Sequence, residues 1–495
     1  MCSASCPVLL FMLAIASTVY GQSRGEGPAH GKVVMCYVAS WAVYRTPPGD
    51  FQLDDLEPEL CTHLVYSFAG LNETDYTIAS RDPWQDLPDG GGKAGYQRLV
   101  SLKERYRHLK VSIAIGGWNE GSLKYSLMAD SPEHRGRFVD SVVNFLRLHG
   151  FDGLSLDWKY PALRDGRPVD KTNFVLLVKE LKEAFNPNGY ILTAALGVKE
   201  YIIDSSYDLP ELGKYLDLIV MLSYDYHGSW EKVLGANAPL SYDSQNLTVD
   251  YSINLMLQHN VSASKLVLGL TTTGRTFWLT EPVPTEVEFG RTPTLIDGFP
   301  DPLTKEPGAM LYFEICEELS NQSSMWSYHW DEKTNTPYIR DGNRVVSYDN
   351  ERSMALKVKM AMDYGLGGVA LWSIDSDDFR GACSANVTEA FIDLEERAKT
   401  LAEDALLKKA LPYLSLPETS SENSGFLVSG DQLVLRLVEA RPYNYTLMRT
   451  INEATRLALQ EKAIHDAMAS TGDSAVIGSC FNLAIVTLVV AVIGF

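Results

Sequence analysis

Residues 151–161 read FDGLSLDWKYP, the end of a strand and a loop carrying Asp152, Asp157 and Lys159. Side chains two apart in a strand share a face, so if the strand continues to Lys159, then Ser155, Asp157 and Lys159 point the same way. A polar file ending an apolar strand marks a site, and its chemistry depends on what surrounds it.

Seven more short apolar runs resemble this one: KVVMCYVAS from Lys32, CTHLVYSFAG from Cys61, KVSIAIGG from Lys110 and YILTAALG from Tyr190, then LDLIVMLSY from Leu216, KLVLGLTTTG from Lys265 and GGVALWS from Gly367. Helical spacing over 134–149, 172–185 and 351–364 separates several of them. Continuous apolar strands alternating with helices read as parallel β-structure covered on its outer face. Eight such units in one stretch suggest an α/β fold, a closed (β/α)8 TIM barrel over residues 32–395. An open doubly wound sheet remains the competing architecture. The interval 278–346, between strand seven and helix seven, is too long for one helix and reads as a small α+β insertion. Residues 386–412 read as a helix that closes the barrel. SLPETSSENSG begins a linker-like stretch, and helical spacing returns over 447–469, so 396–474 is expected to be a helical or stalk region.

The chain has 495 residues, is 45% hydrophobic and carries a formal net charge of -20. That charge argues against a nucleic-acid partner, whose phosphates require a basic footprint. Residues 1–21 contain a short apolar run with the character of a secretory signal peptide, although no Lys or Arg precedes it. Ala475 to Phe495 is mostly apolar and follows small residues at 470–474, which suits attachment of a GPI lipid anchor. A single transmembrane helix or secretion is the alternative, and the expected location is the outer face of the plasma membrane. Setting aside Cys2, Cys6 and Cys480 in these ends leaves Cys36, Cys61, Cys316 and Cys383, which allow three pairings. Cys36 and Cys61 fall in early strands, close enough around a barrel to pair; Cys316 in the insertion could then tie to Cys383. N-glycosylation acceptors stand at Asn72, Asn246, Asn260, Asn321, Asn386 and Asn444.

Polar and aromatic residues gather at the expected carboxyl ends of the strands. They are Tyr37 and Trp41, Phe68, Trp118, Asp157 with Lys159, Tyr224 with Asp225, Arg275, and Trp372. Aromatics around a polar centre suit a sugar, whose CH faces stack on rings while its hydroxyls meet carboxylates or Arg.

These segments resemble glycoside hydrolase family 18, the chitinase and chitinase-like group. KVSIAIGGW is similar to the family's strand-three signature and FDGLSLDWKYP to its strand-four signature, normally FDGxDxDWEYP. SYDYHGSW and GGVALWSIDSDDF resemble the strand-six and strand-eight motifs. The resemblance implies the barrel, the insertion and the two disulfides. It also implies a groove for N-acetylglucosamine polymers, cleaved in family enzymes with help from the substrate's own acetamido oxygen. Asp152 then matches the first motif Asp, Asp157 the third, Tyr224 and Asp225 the strand-six pair, and Trp372 the floor of the reacting subsite. Two central positions depart from the pattern, because Ser155 replaces the second Asp and Lys159 replaces the acid Glu. Thr273 in TTTGR is a third departure, standing where a Tyr is usual.

A general acid must hold a proton at working pH and then release it, which a tuned Glu does at a pKa of roughly 6. A free lysine side chain ionises near pKa 10.4, and anionic neighbours such as Asp157 and Asp225 would pair with its ammonium. A fixed positive charge also opposes an oxocarbenium-like transition state. The expectation is a degenerate catalytic site in a pseudoenzyme that binds chitin or N-acetylglucosamine oligosaccharides at the cell surface. The alternatives are an active hydrolase with altered machinery and a growth-factor-like protein that binds a cell-surface protein. No cofactor is expected. His227 has no second His or Cys at metal-ligand spacing, and the DSDD stretch at 375–378 lacks calcium-loop spacing and reads as a solvated or structural loop.

Overall fold

A computed structural model describes residues 26–242, 246–383 and 444–471, with two short strands at Val428–Ser429 and Gln432–Leu433. The expected signal peptide, the helix at 386–412, Asn386 and the tail at 475–495 lie outside the described residues.

The apolar runs are the eight strands of a closed parallel barrel: β1 Val33–Ala39, β2 His63–Leu71, β3 Lys110–Gly116, β4 Gly153–Asp157, β5 Ile191–Gly197, β6 Leu218–Leu222, β7 Leu266–Thr271 and β8 Gly368–Trp372. Each pairs in parallel with its neighbours, and β1 closes the ring by pairing with both β2 and β8. Both faces of these strands are covered, which is why their sequences are continuously apolar rather than alternating. β3, for example, is buried from Val111 to Gly116. Closure of the ring by β1 excludes the open sheet.

The outer helices carry their own start and stop signals. Helix Pro132–His149 begins where the Ser131 hydroxyl accepts from the Glu133 and His134 amides, a cap worth about 1 kcal/mol. It stops at Gly150, whose φ of 77° suits a residue without a Cβ. Phe138, Val142 and Leu146, four apart, form its buried stripe.

The insertion is a five-stranded antiparallel sheet with one helix, Tyr312–Ser320. It runs from Thr273–Trp278 to Arg344–Ser347, slightly wider than expected. Cys36–Cys61 and Cys316–Cys383 are both bonded, with Cα separations of 6.0 Å and 4.8 Å. Cys61 lies just before β2, which starts at His63.

The C-terminal region does not divide as expected. Residues Gly25–Ser384 and Asn444–Ala458 form one compact unit, so 444–458 belongs to the barrel and not to a stalk. β1 is followed by three short 3-10 turns, Ser40–Tyr44, Leu53–Asp55 and Pro58–Leu60, in place of an α-helix. The start of helix Thr446–Thr471 packs against that region. Tyr445 donates to the Asp55 carbonyl, Asn452 to the Leu60 carbonyl, and Arg449 pairs with Glu57. Leu447, Met448 and Ile451 are fully buried there. Asp377, beyond β8, accepts the Leu447 and Met448 amides at 3.2 Å and 2.9 Å, placing a carboxylate at the positive end of the helix.

Asp375, Asp377 and Asp378 are fully buried, so the DSDD stretch is structural and not solvated. Asp375 pairs with Arg45, and Asp378 accepts the Ala382 and Cys383 amides. Asn72, Asn246, Asn260 and Asn321 are exposed, whereas Asn444 is half-buried with its Oδ1 taken by Arg449.

Candidate functional site

The carboxyl ends of the strands converge on one face of the barrel, where the loops build sites. β4 stops at Asp157, so Ser155 and Asp157 share its face as expected, while Lys159 stands in the following loop. Ser155 is fully buried and its hydroxyl is hydrogen-bonded to the Tyr37 hydroxyl at 3.2 Å. The Lys159 ammonium donates to Asp157 Oδ2 at 3.0 Å. Asp157 Oδ1 is buried with no partner. The ion pair therefore stands at the carboxyl end of β4, with one carboxylate oxygen buried and unpaired.

Asp152 is elsewhere. It precedes β4, at the amino end of the barrel, and pairs with Lys103 at 2.9 Å while accepting the Val111 amide. Four residues of extended chain separate it from Asp157, so motif membership does not place it in the groove.

Aromatic rings form the floor. Trp372, ending β8, lies 5.6 Å from Phe68 in a stacked arrangement and 5.6 Å from Tyr37. Trp41 stacks on the other side of the cluster, 6.0 Å from Phe68. Trp41 is 45% exposed, whereas Phe68 and Tyr37 are almost fully buried. Trp41 and Trp372 thus present ring surface, and Phe68 and Tyr37 support it from behind. Trp118, beyond β3, is exposed, but the Arg164 guanidinium lies 3.6 Å from its ring centre and covers one face.

Opposite the floor, Tyr224 and Asp225 follow β6. Asp225 has a φ of 57°, a left-handed conformation that Asp tolerates better than most residues. Its Oδ1 accepts from Arg275 Nε at 2.7 Å. Arg275 is not at the end of β7 but on Thr273–Trp278, the first strand of the insertion, which brings the insertion to the groove wall. Burial alone would raise the Asp225 carboxyl, but Arg275, Lys159 and Lys199 together hold it below the ordinary carboxylate range. Burial, reinforced by the charge of Asp225, lifts the Tyr224 hydroxyl well above the usual phenol range, so it is a neutral donor.

Four groups join the site that the strand ends did not announce. Tyr160, next to Lys159, packs against the barrel core beside Tyr224 and Trp372. Trp230 is half exposed, with Arg275 5.5 Å and Lys199 5.9 Å from its ring. Arg164 reaches the site by donating to the Lys159 carbonyl. Tyr160 and Trp230 lie within WKYP and HGSW, and Lys199 lies just past β5, the one strand whose end offered no polar or aromatic candidate. His227 is bonded to Glu231 at 2.8 Å and has no metal-ligand set around it among the described residues.

Residues 33–377 match the family described as Glycosyl hydrolases family 18. Over 475 residues the chain is 41% identical to probable chitinase 2 of Drosophila melanogaster, covering 93% of this chain and 89% of that one. The group IV chitinase of Ostrinia furnacalis, solved in complex with allosamidin, has 38% identity and a TM-score of 0.68, covering 72% of this chain and 95% of that one. Human YKL-39, described as a pseudo-chitinase with retained chitooligosaccharide binding, has 34% identity and a TM-score of 0.64 over 71% and 95% of the two chains. Catalytic and non-catalytic proteins thus share this architecture, and the chain belongs to glycoside hydrolase family 18.

Proposed function

We propose that this protein is a non-catalytic family member that binds N-acetylglucosamine-containing oligosaccharides in the groove. The observation that carries the reading is Lys159, standing where the family places its acid and donating to Asp157 at 3.0 Å. Protonating a glycosidic oxygen requires a group that gives up its proton near neutrality. A lysine ammonium is not such a group, and its charge raises the barrier to a cationic transition state. The aromatic floor is independent of that loss, because stacking on Trp41 and Trp372 requires no proton transfer. YKL-39, a pseudo-chitinase that keeps oligosaccharide binding, supports the same separation of binding from turnover.

A second reading, an active hydrolase with altered machinery, is favoured by the relatives named as chitinases, among them the protein at 41% identity. An assay of the full chain with chitotriose and longer oligomers from mildly acidic to neutral pH separates the two. No turnover is expected, and turnover would overturn the reading. Lys159→Glu alone is expected to restore little, because Ser155 still lacks the carboxylate that cooperates with Asp157; Lys159→Glu with Ser155→Asp should restore more. Full recovery by the single change would show that Ser155 matters less than argued.

Attachment to the outer cell surface through residues 475–495 forms part of the proposal. Release by a phosphatidylinositol-specific phospholipase, together with loss of the peptide ending in Phe495, tests it. A retained terminal peptide would contradict a lipid anchor.

A further inference from the structure

We propose that the groove selects an acidic N-acetylhexosamine glycan, with the ligand's uronate carboxylate or sulfate ester met by Lys199 and Arg164, which flank Lys159 around the rim. This inference rests on the sugar-binding reading above and specifies its ligand class.

The chain carries a net charge of -20, yet the groove centre does not follow that trend. Its two carboxylates are already held, Asp157 by Lys159 at 3.0 Å and Asp225 by Arg275 at 2.7 Å. Glu231, the next carboxylate along this wall, is bonded to His227 at 2.8 Å. Lys199 and Arg164 donate to backbone carbonyls instead. Lys199 reaches the Tyr226 carbonyl at 3.0 Å, and Arg164 reaches those of Trp118 and Lys159 at 2.9 Å and 3.1 Å. A carbonyl satisfies a proton without neutralising the charge, and the carboxylates that act on Lys199, Asp225 and Glu231, are each already bonded to another partner.

Both charges bear on the groove centre. Lys199 and Lys159 both act on Asp225, and Arg164 acts on Tyr160 together with Asp157 and Asp225. Burial works against the Lys199 ammonium and lowers its affinity for its proton, although Asp225 and Glu231 partly offset this. An arriving anion would supply the missing partner in a partly desolvated setting, where a charge-assisted bond is stronger than in water. Trp230, beside Lys199, offers a ring face to the same sugar. Lys159 adds to the preference, because it replaces an acid that would be neutral or negative with a cation at the middle of the chain-binding path.

The test is calorimetry on the full chain with three oligosaccharides of equal length. They are a neutral N-acetylglucosamine oligomer, a hyaluronan oligomer alternating N-acetylglucosamine with glucuronate, and a sulfated chondroitin oligomer. At low ionic strength, at least one acidic oligomer should bind about tenfold more tightly than the neutral one. Its advantage should shrink on raising salt from about 0.05 M to about 0.3 M, as ion pairs at a partly open groove are screened. Tight hyaluronan binding assigns the contact to a carboxylate, and tight binding of the chondroitin oligomer alone assigns it to sulfate. Lys199→Gln and Arg164→Gln, each verified as folded by circular dichroism, should lower the acidic-to-neutral affinity ratio. Neutral binding equal to or tighter than acidic binding overturns the inference and leaves the sugar-binding reading standing. No binding of any oligomer overturns both. An acidic preference unchanged in both variants places the anion site elsewhere and overturns the assignment to this groove.

Discussion

Strand β4 carries a Lys–Asp pair at each end, and the two pairs differ in what surrounds them. At the amino end Lys103 meets Asp152 at 2.9 Å, with both side chains about one-quarter exposed. Asp152 spends its other oxygen on the Val111 amide, and Lys103 also donates to the Gly150 carbonyl. That pair clips helix Gly95–Arg105 to the mouths of β3 and β4, and every strong hydrogen-bonding group in it is occupied. At the carboxyl end Lys159 meets Asp157 at 3.0 Å, with exposures of 17% and 4%, and Asp157 Oδ1 is left without a partner. The same two side chains thus build a closed structural clip at one end and an unfinished polar centre at the other. This is the division of labour a barrel imposes, since its loops leave only the carboxyl face free to vary.

The largest effect expected at the carboxyl face is on binding. Trp372→Ala removes an indole that touches Tyr37, Trp41 and Phe68, and should weaken oligosaccharide binding by about 2–4 kcal/mol if it acts as a central anchor. Calorimetry on wild type and variant measures it. Equal affinities would mean that the ligand does not use the floor.

The next effect is on stability. Lys159→Met leaves the Asp157 carboxylate buried without its cation, which should cost about 2–3 kcal/mol, somewhat below the range for fully buried pairs because Lys159 keeps some contact with water. Urea denaturation reads this directly. A loss below about 1 kcal/mol would make this pair equivalent to a surface one and erase the contrast with the amino end.

A pH scan separates these ion pairs from buried acids elsewhere. Burial pushes Glu314 in the insertion up to about 8, with Asp301 adding a hydrogen bond and a like charge. Burial also pushes Asp377, the acceptor at the start of the closing helix, up to about 7 against the amides that favour its charged form. Their ordinary values are 4.5 and 3.8, so as pH rises past those values the unfolded chain releases protons that the fold retains until near neutrality. A raised acid therefore contributes stability that is complete below its unfolded value and is lost as pH passes its folded value. The melting temperature should be higher at about pH 5 than at about pH 8, and Glu314→Gln with Asp377→Asn should flatten the difference. Equal melting temperatures in the wild type would contradict the burial argument. Asp225, held low by its cations, acts in the opposite sense and only in stronger acid.

Much of this architecture is legible in the sequence because barrel strands announce themselves. A strand covered on both faces must be continuously apolar, and all eight runs became strands, although Cys61 and Thr62 fell outside β2. The shared face of Ser155 and Asp157 followed from a period of two, but the strand ends at Asp157, and Lys159 joins them from the loop by its contact with Asp157. Depth was not legible: alternation fixes a face but cannot tell that Phe68 and Tyr37 lie behind the ring surface. Nor was level along the barrel, since Asp152 shares a motif with Asp157 but sits a full strand length away. The helix over 447–469 was legible but its docking on the barrel was not, because a long stretch of chain separates it from β8 and local periodicity says nothing about where a helix docks. Lys199 was missed because a lone Lys past a strand looks like any solvated cation until Trp230 and Asp225 arrive from β6.

The smallest expected effect completes the comparison. Lys103→Ala removes the cation of the amino-end pair, but water reaches both partners and Asp152 keeps the Val111 amide at 2.8 Å. Exposed pairs contribute about 0–1 kcal/mol, so the denaturation midpoint should move little, and raising salt should shrink even that shift. Oligosaccharide affinity should be unchanged, because the pair stands at the opposite end of the strand from the groove. A loss as large as that of Lys159→Met would mean that the clip on helix Gly95–Arg105 supports the barrel more than its exposure allows. A change in affinity without a change in stability would mean that β4 transmits strain from one end to the other, and the two ends could no longer be treated as separate.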